Sequence, residues 1–228
     1  MNPTIKNFLE ALNKIDKRDY NTQRVKLVDE NINIYEDIFS TYENNFVTKL
    51  NEKYTVLLEL GKIDEPIELI RQFQIPKKYA YSSMAEDTIR NSFEKISNIP
   101  DKKVDDIKEF CLIPDFIIHR DEKDKLAANQ RLIAEVKTEQ NLSYKKFAYD
   151  FLKLIIYLNK FNFQNAIFLS VNMQANIIEE YVKKYFLERM YLPKNYNKLY
   201  IILKENFEKE PNVFSLQEFF DNNVKNTF

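Results

Sequence analysis

Leu112-Ile113-Pro114-Asp115-Phe116-Ile117-Ile118 and, after a charged loop, Leu132-Ile133-Ala134-Glu135-Val136-Lys137 are two short apolar runs interrupted by three ionisable side chains. Their length and their content of Ile, Val and Phe predict strands. Side chains alternate faces along a strand, so Glu135 and Lys137 point the same way while Ala134 and Val136 point into the opposite layer. If the two runs pair as a hairpin, Asp115 stands beside Glu135 and Lys137. Charges inside strands that otherwise want burial cost free energy unless they are paired or bound to a metal. The three residues are therefore candidates for a site, and the alternative is a buried Lys137–Asp115 ion pair with Glu135 at an edge. Pro114 fixes the backbone and removes a donor, which suits a point where strand pairing diverges.

Outward from these strands the pattern alternates. The segment from His119 to Lys125 reads as a solvated hairpin tip, with His119 at the strand end. A helix is expected from Ser143 to about Asn159, with Phe147, Phe151, Leu154, Ile155 and Leu158 on its apolar face. A second stripe on it carries Lys146, Asp150, Lys153 and Tyr157. Asn165–Val171 reads as a buried strand, 175–190 as a helix, Leu199–Leu203 as a strand and Phe214–Phe220 as a closing helix. Upstream, Ser83-Met84-Ala85-Glu86 fits a capping box that opens a helix through Ile89, Phe93 and Ile96. Residues 100–110 fit a strand, a short helix or a loop equally well.

The first 75 residues read as helical. Ile5, Phe8, Leu9 and Leu12 give a short amphipathic start. Val25, Val28, Ile32, Tyr35, Phe39, Tyr42 and Phe46 then recur at spacings of three and four, the stripe of a long helix, and Gly61 sits where that helix, or a second one after a break near Asn51, would end in a left-handed cap. Such a stripe packs on its own domain or forms a homodimer contact. A short helix capped by Asp64 follows, and Pro76-Lys77-Lys78 reads as a connection. The boundary is placed there, dividing a helical region, 1–76, from a core, 77–228.

Scarcity narrows the chemistry further. The 228 residues include one glycine (Gly61), one cysteine (Cys111) and one histidine (His119). Phosphate-cradling loops need several glycines, so no nucleotide cofactor is expected. Structural zinc sites need four Cys or His ligands as a rule, and an internal disulfide needs two cysteines. What remains is chemistry by carboxylates, lysines and a hard metal. The net charge of −1 neither favours nor opposes a nucleic-acid partner. No apolar run is long enough to span a bilayer and no signal peptide is visible, so the expected location is cytoplasmic.

A Pro-Asp pair followed by Glu-x-Lys, within helix, strand pair, helix and strand, resembles the PD-(D/E)xK nuclease superfamily over roughly 82–171. The resemblance implies an α/β fold: a restriction-endonuclease-like core with a central mixed sheet flanked by helices, preceded here by the helical N-terminal region. It implies Asp115 and Glu135 as catalytic, metal-binding carboxylates, with the Val136 backbone carbonyl completing the shell, and Lys137 beside the attacking water. The implied cofactor is Mg2+, with Mn2+ able to substitute. Superfamily members often carry a further carboxylate on the preceding helix. Glu86 is the candidate here, against a purely capping role, with Glu94 as a weaker substitute. The stripe Lys146, Lys153 and Tyr157 falls where relatives contact nucleic acid. In the RecB-like branch the motif is Gln-Leu-x-x-Tyr, whereas here it is Lys153-Leu154-Ile155-Ile156-Tyr157; a solvated helix face is the alternative.

The expected function is a Mg2+-dependent DNA endonuclease of the restriction or defence type, acting as a homodimer because duplex cleavage needs two cuts. A repair, recombination or structure-specific nuclease of the same fold is the first alternative. The second is a non-catalytic module that keeps the fold.

Overall fold

A computed structural model describes residues 2–20, 35–63, 87–97, 113–119 and 127–225. Its framework is a five-stranded mixed sheet, with strands in the order β1-β2-β3-β4-β5. The strands are β1 (Phe116–His119), β2 (Gln130–Lys137), β3 (Asn165–Val171), β4 (Leu199–Lys204) and β5 (Asn212–Ser215). β1 pairs antiparallel with β2, β2–β3 and β3–β4 are parallel, and β5 returns antiparallel on β4. The outcome is an α/β fold with an open sheet between two helical layers.

The alternation read from β2 holds in three dimensions. Leu132, Ala134 and Val136 enter one apolar layer with Ile167, Leu169, Val171 and Ile202. Ile133 enters the other with Ala166, Phe168, Leu199 and Ile201. The first layer is closed by α1 (Pro3–Leu12), α2 (Lys17–Tyr20) and α3 (Tyr35–Glu59) through Ile5, Phe8, Leu12, Phe46, Leu50, Tyr54 and Leu57. The second is closed by α4 (Asp87–Ser97), α5 (Tyr144–Lys160), α6 (Ala175–Leu187) and α7 (Leu216–Asn223). What is described of residues 1–76 thus lies directly against the sheet. The connection at Pro76–Lys78 falls outside the described residues.

Local chemistry explains where the helices begin and end. Asn2 caps α1 by accepting the Thr4 amide at 2.9 Å, and Pro3 occupies the first turn, where no intrahelical donor is needed. α3 runs through Asn51 without a break to Glu59 and is capped at Gly61, whose φ of +63° is left-handed. Lys62 N–H bonds Leu57 C=O at 2.8 Å and Gly61 N–H bonds Leu58 C=O at 3.0 Å, the Schellman pattern. Ser143 caps α5 through the Lys146 amide. α7 opens on a capping box in which Glu218 accepts from the Ser215 amide at 2.6 Å and Ser215 Oγ accepts from the Glu218 amide at 3.1 Å.

Residues 212–223 differ from the reading of a single closing helix, because Asn212–Ser215 pairs with β4 as a fifth strand before the helix starts. Four residues are too short for a visible period of two, and only the neighbouring β4 supplies the partner that makes them a strand. The rest of the alternation follows the sequence closely, β3 spanning Asn165–Val171 as expected. Val25, Val28, Ile32, the segment from Asp64 to Phe73 and residues 100–110 lie outside the described residues.

Candidate active site

The β1–β2 register pairs Phe116 with Ala134, bringing Asp115, just before β1, to the end of β2 that carries Glu135 and Lys137. Asp115 is tied there by its own side chain, since Val136 N–H donates to Asp115 Oδ2 at 2.8 Å. Lys137 Nζ lies 3.9 Å from the same oxygen. Glu135 lies opposite Phe168 on β3, within a wall where Phe168 meets Phe147 at 4.9 Å and Phe151 at 6.2 Å between ring centroids. That aromatic wall leaves the Glu135 side chain 0% exposed. β2 has neighbours on both sides, so Glu135 is not at an edge of the sheet.

Two further carboxylates and one further lysine complete the cluster. From α5, Lys153 Nζ bonds Glu135 Oε2 at 2.8 Å and Asp150 Oδ1 at 2.8 Å. Asp150 Oδ2 lies 3.3 Å from Lys137 Nζ. From α3, on the opposite helical layer, Glu43 Oε1 accepts from Lys137 Nζ at 3.0 Å. Lys137 therefore stands among Asp115, Asp150 and Glu43, while Lys153 bridges Glu135 and Asp150. Exposure rises from Glu135 through Lys153 and Asp150 to Glu43 and then Asp115 at 24%, so solvent reaches the cluster from the Asp115 side.

The electrostatics follow from burial first. Desolvation pushes the Glu135 pKa well above the ordinary carboxylate value, against the opposing pull of Lys153, and Asp115 and Asp150 add to the rise. Glu43 moves up for the same reason, with Lys137 opposing. Burial alone would lower the pKa of both lysines. For Lys137 the carboxylates of Asp150, Asp115, Glu43 and Glu135 outweigh that effect, and for Lys153 those of Glu135 and Asp150 do, so both ammoniums stay charged.

Two buried oxygens here lack a hydrogen bond among the described residues. Glu135 Oε1 is buried with no hydrogen bond among the described residues, as is Ser170 Oγ on the strand position paired with Lys137. A buried carboxylate oxygen without a hydrogen bond is costly unless it carries a proton or meets a cation or a water. The donors here are hard oxygens, suited to Mg2+. No three His, Cys, Asp or Glu side chains form a metal-holding group among the described residues. Mg2+ does not require such a cage, because it usually binds one or two carboxylates and keeps waters or substrate phosphate in its other positions. Asp115 and Glu135 supply that number, so the residues present fit the ion.

The remaining sequence candidates fall elsewhere. Glu86 lies outside the described residues, and Glu94 is half-buried on α4. Lys146 is exposed on the first turn of α5, paired with Glu139 at 2.9 Å. Lys153 is not on a solvated face, being held in the cluster. Tyr157 has no exposed surface and packs against Phe161 and Phe163, with ring centroids 5.6 Å away in each case, so it presents nothing to a ligand. Glu43 and Asp150 were missed as site residues, though each left a trace. Glu43 sits one heptad before buried Leu50 and two before buried Leu57, a charge in register with an apolar stripe. Asp150 stands three residues before Lys153 on one helix face.

Comparison with protein-family models, with curated proteins and with solved structures found no significant match to this chain.

Proposed function

We propose that this chain is a Mg2+-dependent DNA endonuclease of the PD-(D/E)xK type, built on a restriction-endonuclease-like core and serving in restriction or defence. The observation that carries the reading is the meeting of Asp115, Glu135 and Lys137 at one end of the sheet, with a buried oxygen of Glu135 that has no hydrogen bond among the described residues. Asp115 and Glu135 would hold the ion, with the Val136 carbonyl as a third donor. When bound, Mg2+ supplies charge neutralisation at the scissile phosphate and acidifies a coordinated water.

The chain's own residues do the rest. Lys137 keeps its proton among three carboxylates, so it acts as a fixed positive charge that orients the attacking water and stabilises the developing charge on phosphate. Asp150 and Glu43 hold that ammonium in place from two different helices. Asp115 is fixed by the Val136 amide, and Glu135 by Lys153. Lys146, exposed at the start of α5, would meet the phosphate backbone. Two copies of the chain supply the two cuts a duplex requires.

The test is cleavage of plasmid DNA with and without Mg2+, and with Mn2+ in its place. Wild-type protein is expected to cut only with metal, and Asp115→Ala and Lys137→Ala are each expected to slow cutting by about 10²-fold or more. Metal-dependent cleavage that survives both substitutions unchanged would sink the assignment.

A further inference from the structure

We propose that the site takes one divalent cation per chain and not two, the ammonium of Lys153 standing where a second would bind. The proposal rests on the nuclease reading above and adds to it the number of metals and the role of a residue on α5.

The first support is position. Lys153 Nζ lies 2.8 Å from an oxygen of Glu135 on β2 and 2.8 Å from an oxygen of Asp150 on α5. It bridges two carboxylates from two elements, the position a divalent cation held by both would take. The Lys153 side chain is only 9% exposed, so its ammonium is not a surface group that can swing aside into water.

The second support is the tally of oxygens. Glu135 Oε2 and Asp150 Oδ1 are engaged by Lys153, Asp150 Oδ2 and Glu43 Oε1 by Lys137, and Asp115 Oδ2 by the Val136 amide. Among the described residues, Glu135 Oε1 is the carboxylate oxygen of this cluster that is both buried and unpartnered. It gives one buried position for a cation, while Asp115 Oδ1 and Glu43 Oε2, the two oxygens not counted so far, belong to the more exposed side of the cluster.

The third support is charge. Glu43, Asp115, Glu135 and Asp150, when ionised, carry four negative charges against the two positive charges of Lys137 and Lys153. One divalent ion brings the cluster to neutrality. A second would leave two uncompensated positive charges around a carboxylate with no exposed surface, where solvent cannot screen them.

The experiment is a Mn2+ titration of the full-length chain without DNA, counting bound ions from the loss of the free-ion electron paramagnetic resonance signal and checking the count by calorimetry. Wild-type protein is expected to bind one Mn2+ per chain. Lys153→Met removes the charge while keeping the length of the side chain, and it is expected to bind two. Two Mn2+ on the wild-type chain would overturn the proposal and leave the nuclease reading standing, whether or not the variant folds. A folded Lys153→Met chain that still binds one would overturn the role given to Lys153. No Mn2+ bound at all would overturn the nuclease reading, and this proposal with it.

Discussion

Replacing Lys153 by methionine is the sharpest probe of how the cluster is held together. In the native chain its ammonium sits 2.8 Å from each of two carboxylate oxygens, and each contact is worth about 6 kcal/mol of gross attraction at an effective dielectric near 20. Most of that offsets the desolvation of three charges. The quantity that a variant reports is the cost of leaving Glu135 and Asp150 without their counter-ion, about 3–5 kcal/mol when a buried pair loses one partner. With 228 residues and about 2.1 cal/mol/K per residue, the unfolding entropy is about 0.5 kcal/mol/K, so Lys153→Met should lower Tm by about 6–10 °C.

The deficit depends on pH in a definite direction. Burial raises the Glu135 pKa in the folded chain, so its contribution to stability is fully present below the unfolded value of about 4.3 and is lost as pH rises through the folded value. Lys153 opposes that rise, and removing it moves the folded value higher still. Wild type and variant should therefore differ less in mild acid, where Glu135 is protonated in both and the loss of the Asp150 contact remains, and diverge further as pH rises above the ordinary carboxylate range. Adding Glu135→Leu to Lys153→Met removes the stranded charge and should restore most of the lost Tm at neutral pH. Thermal melts followed by circular dichroism between mild acid and pH 8 read all of this. An unchanged Tm for Lys153→Met at neutral pH, or a double variant no more stable than the single one, would refute the account of the cluster.

Glu43→Gln should slow Mg2+-dependent cleavage about 10–100-fold, as loss of an orienting partner does, with little change in Tm because the amide oxygen can still accept from Lys137 and the variant gives up a charge that burial disfavours; single-turnover plasmid cleavage beside a melt measures both. Tyr157→Phe should leave DNA affinity untouched, since the ring has no exposed surface, whereas Lys146→Ala should weaken binding and make the salt slope shallower by about 0.9; fluorescence anisotropy with a labelled duplex at several salt concentrations separates the two. Gly61→Ala should cost about 1 kcal/mol in a denaturant titration, because its φ of +63° strains a side chain although nothing lies within 4 Å of where a Cβ would stand.

The order of elements was legible because each carries its period locally. β3 and α5 could be read from Asn165–Val171 and from the apolar face of 147–158, and the shared face of Glu135 and Lys137 follows from the pleat of one strand. Asp115 was legible as a neighbour of that pair because a hairpin is a short-range contact. Glu43 was not, as it reaches Lys137 across 94 positions of sequence. Its trace, a carboxylate in register with Leu50 and Leu57, says that it faces inward but not what it meets.

The stripe on α5 shows the same division. Sequence spacing alone determined that Asp150, Lys153 and Tyr157 share a helix face. It did not decide that Lys153 meets Glu135 while Tyr157, one turn on, is sealed among Phe161 and Phe163. The reason is physical: periodicity records which side of a helix points inward, whereas the end of the sheet decides where that side stops facing aromatic rings and starts facing carboxylates. Four carboxylates and two lysines scattered from Glu43 to Lys153 become one charge cluster only when β2 lies between β1 and β3, with α3 covering one face and α5 the other.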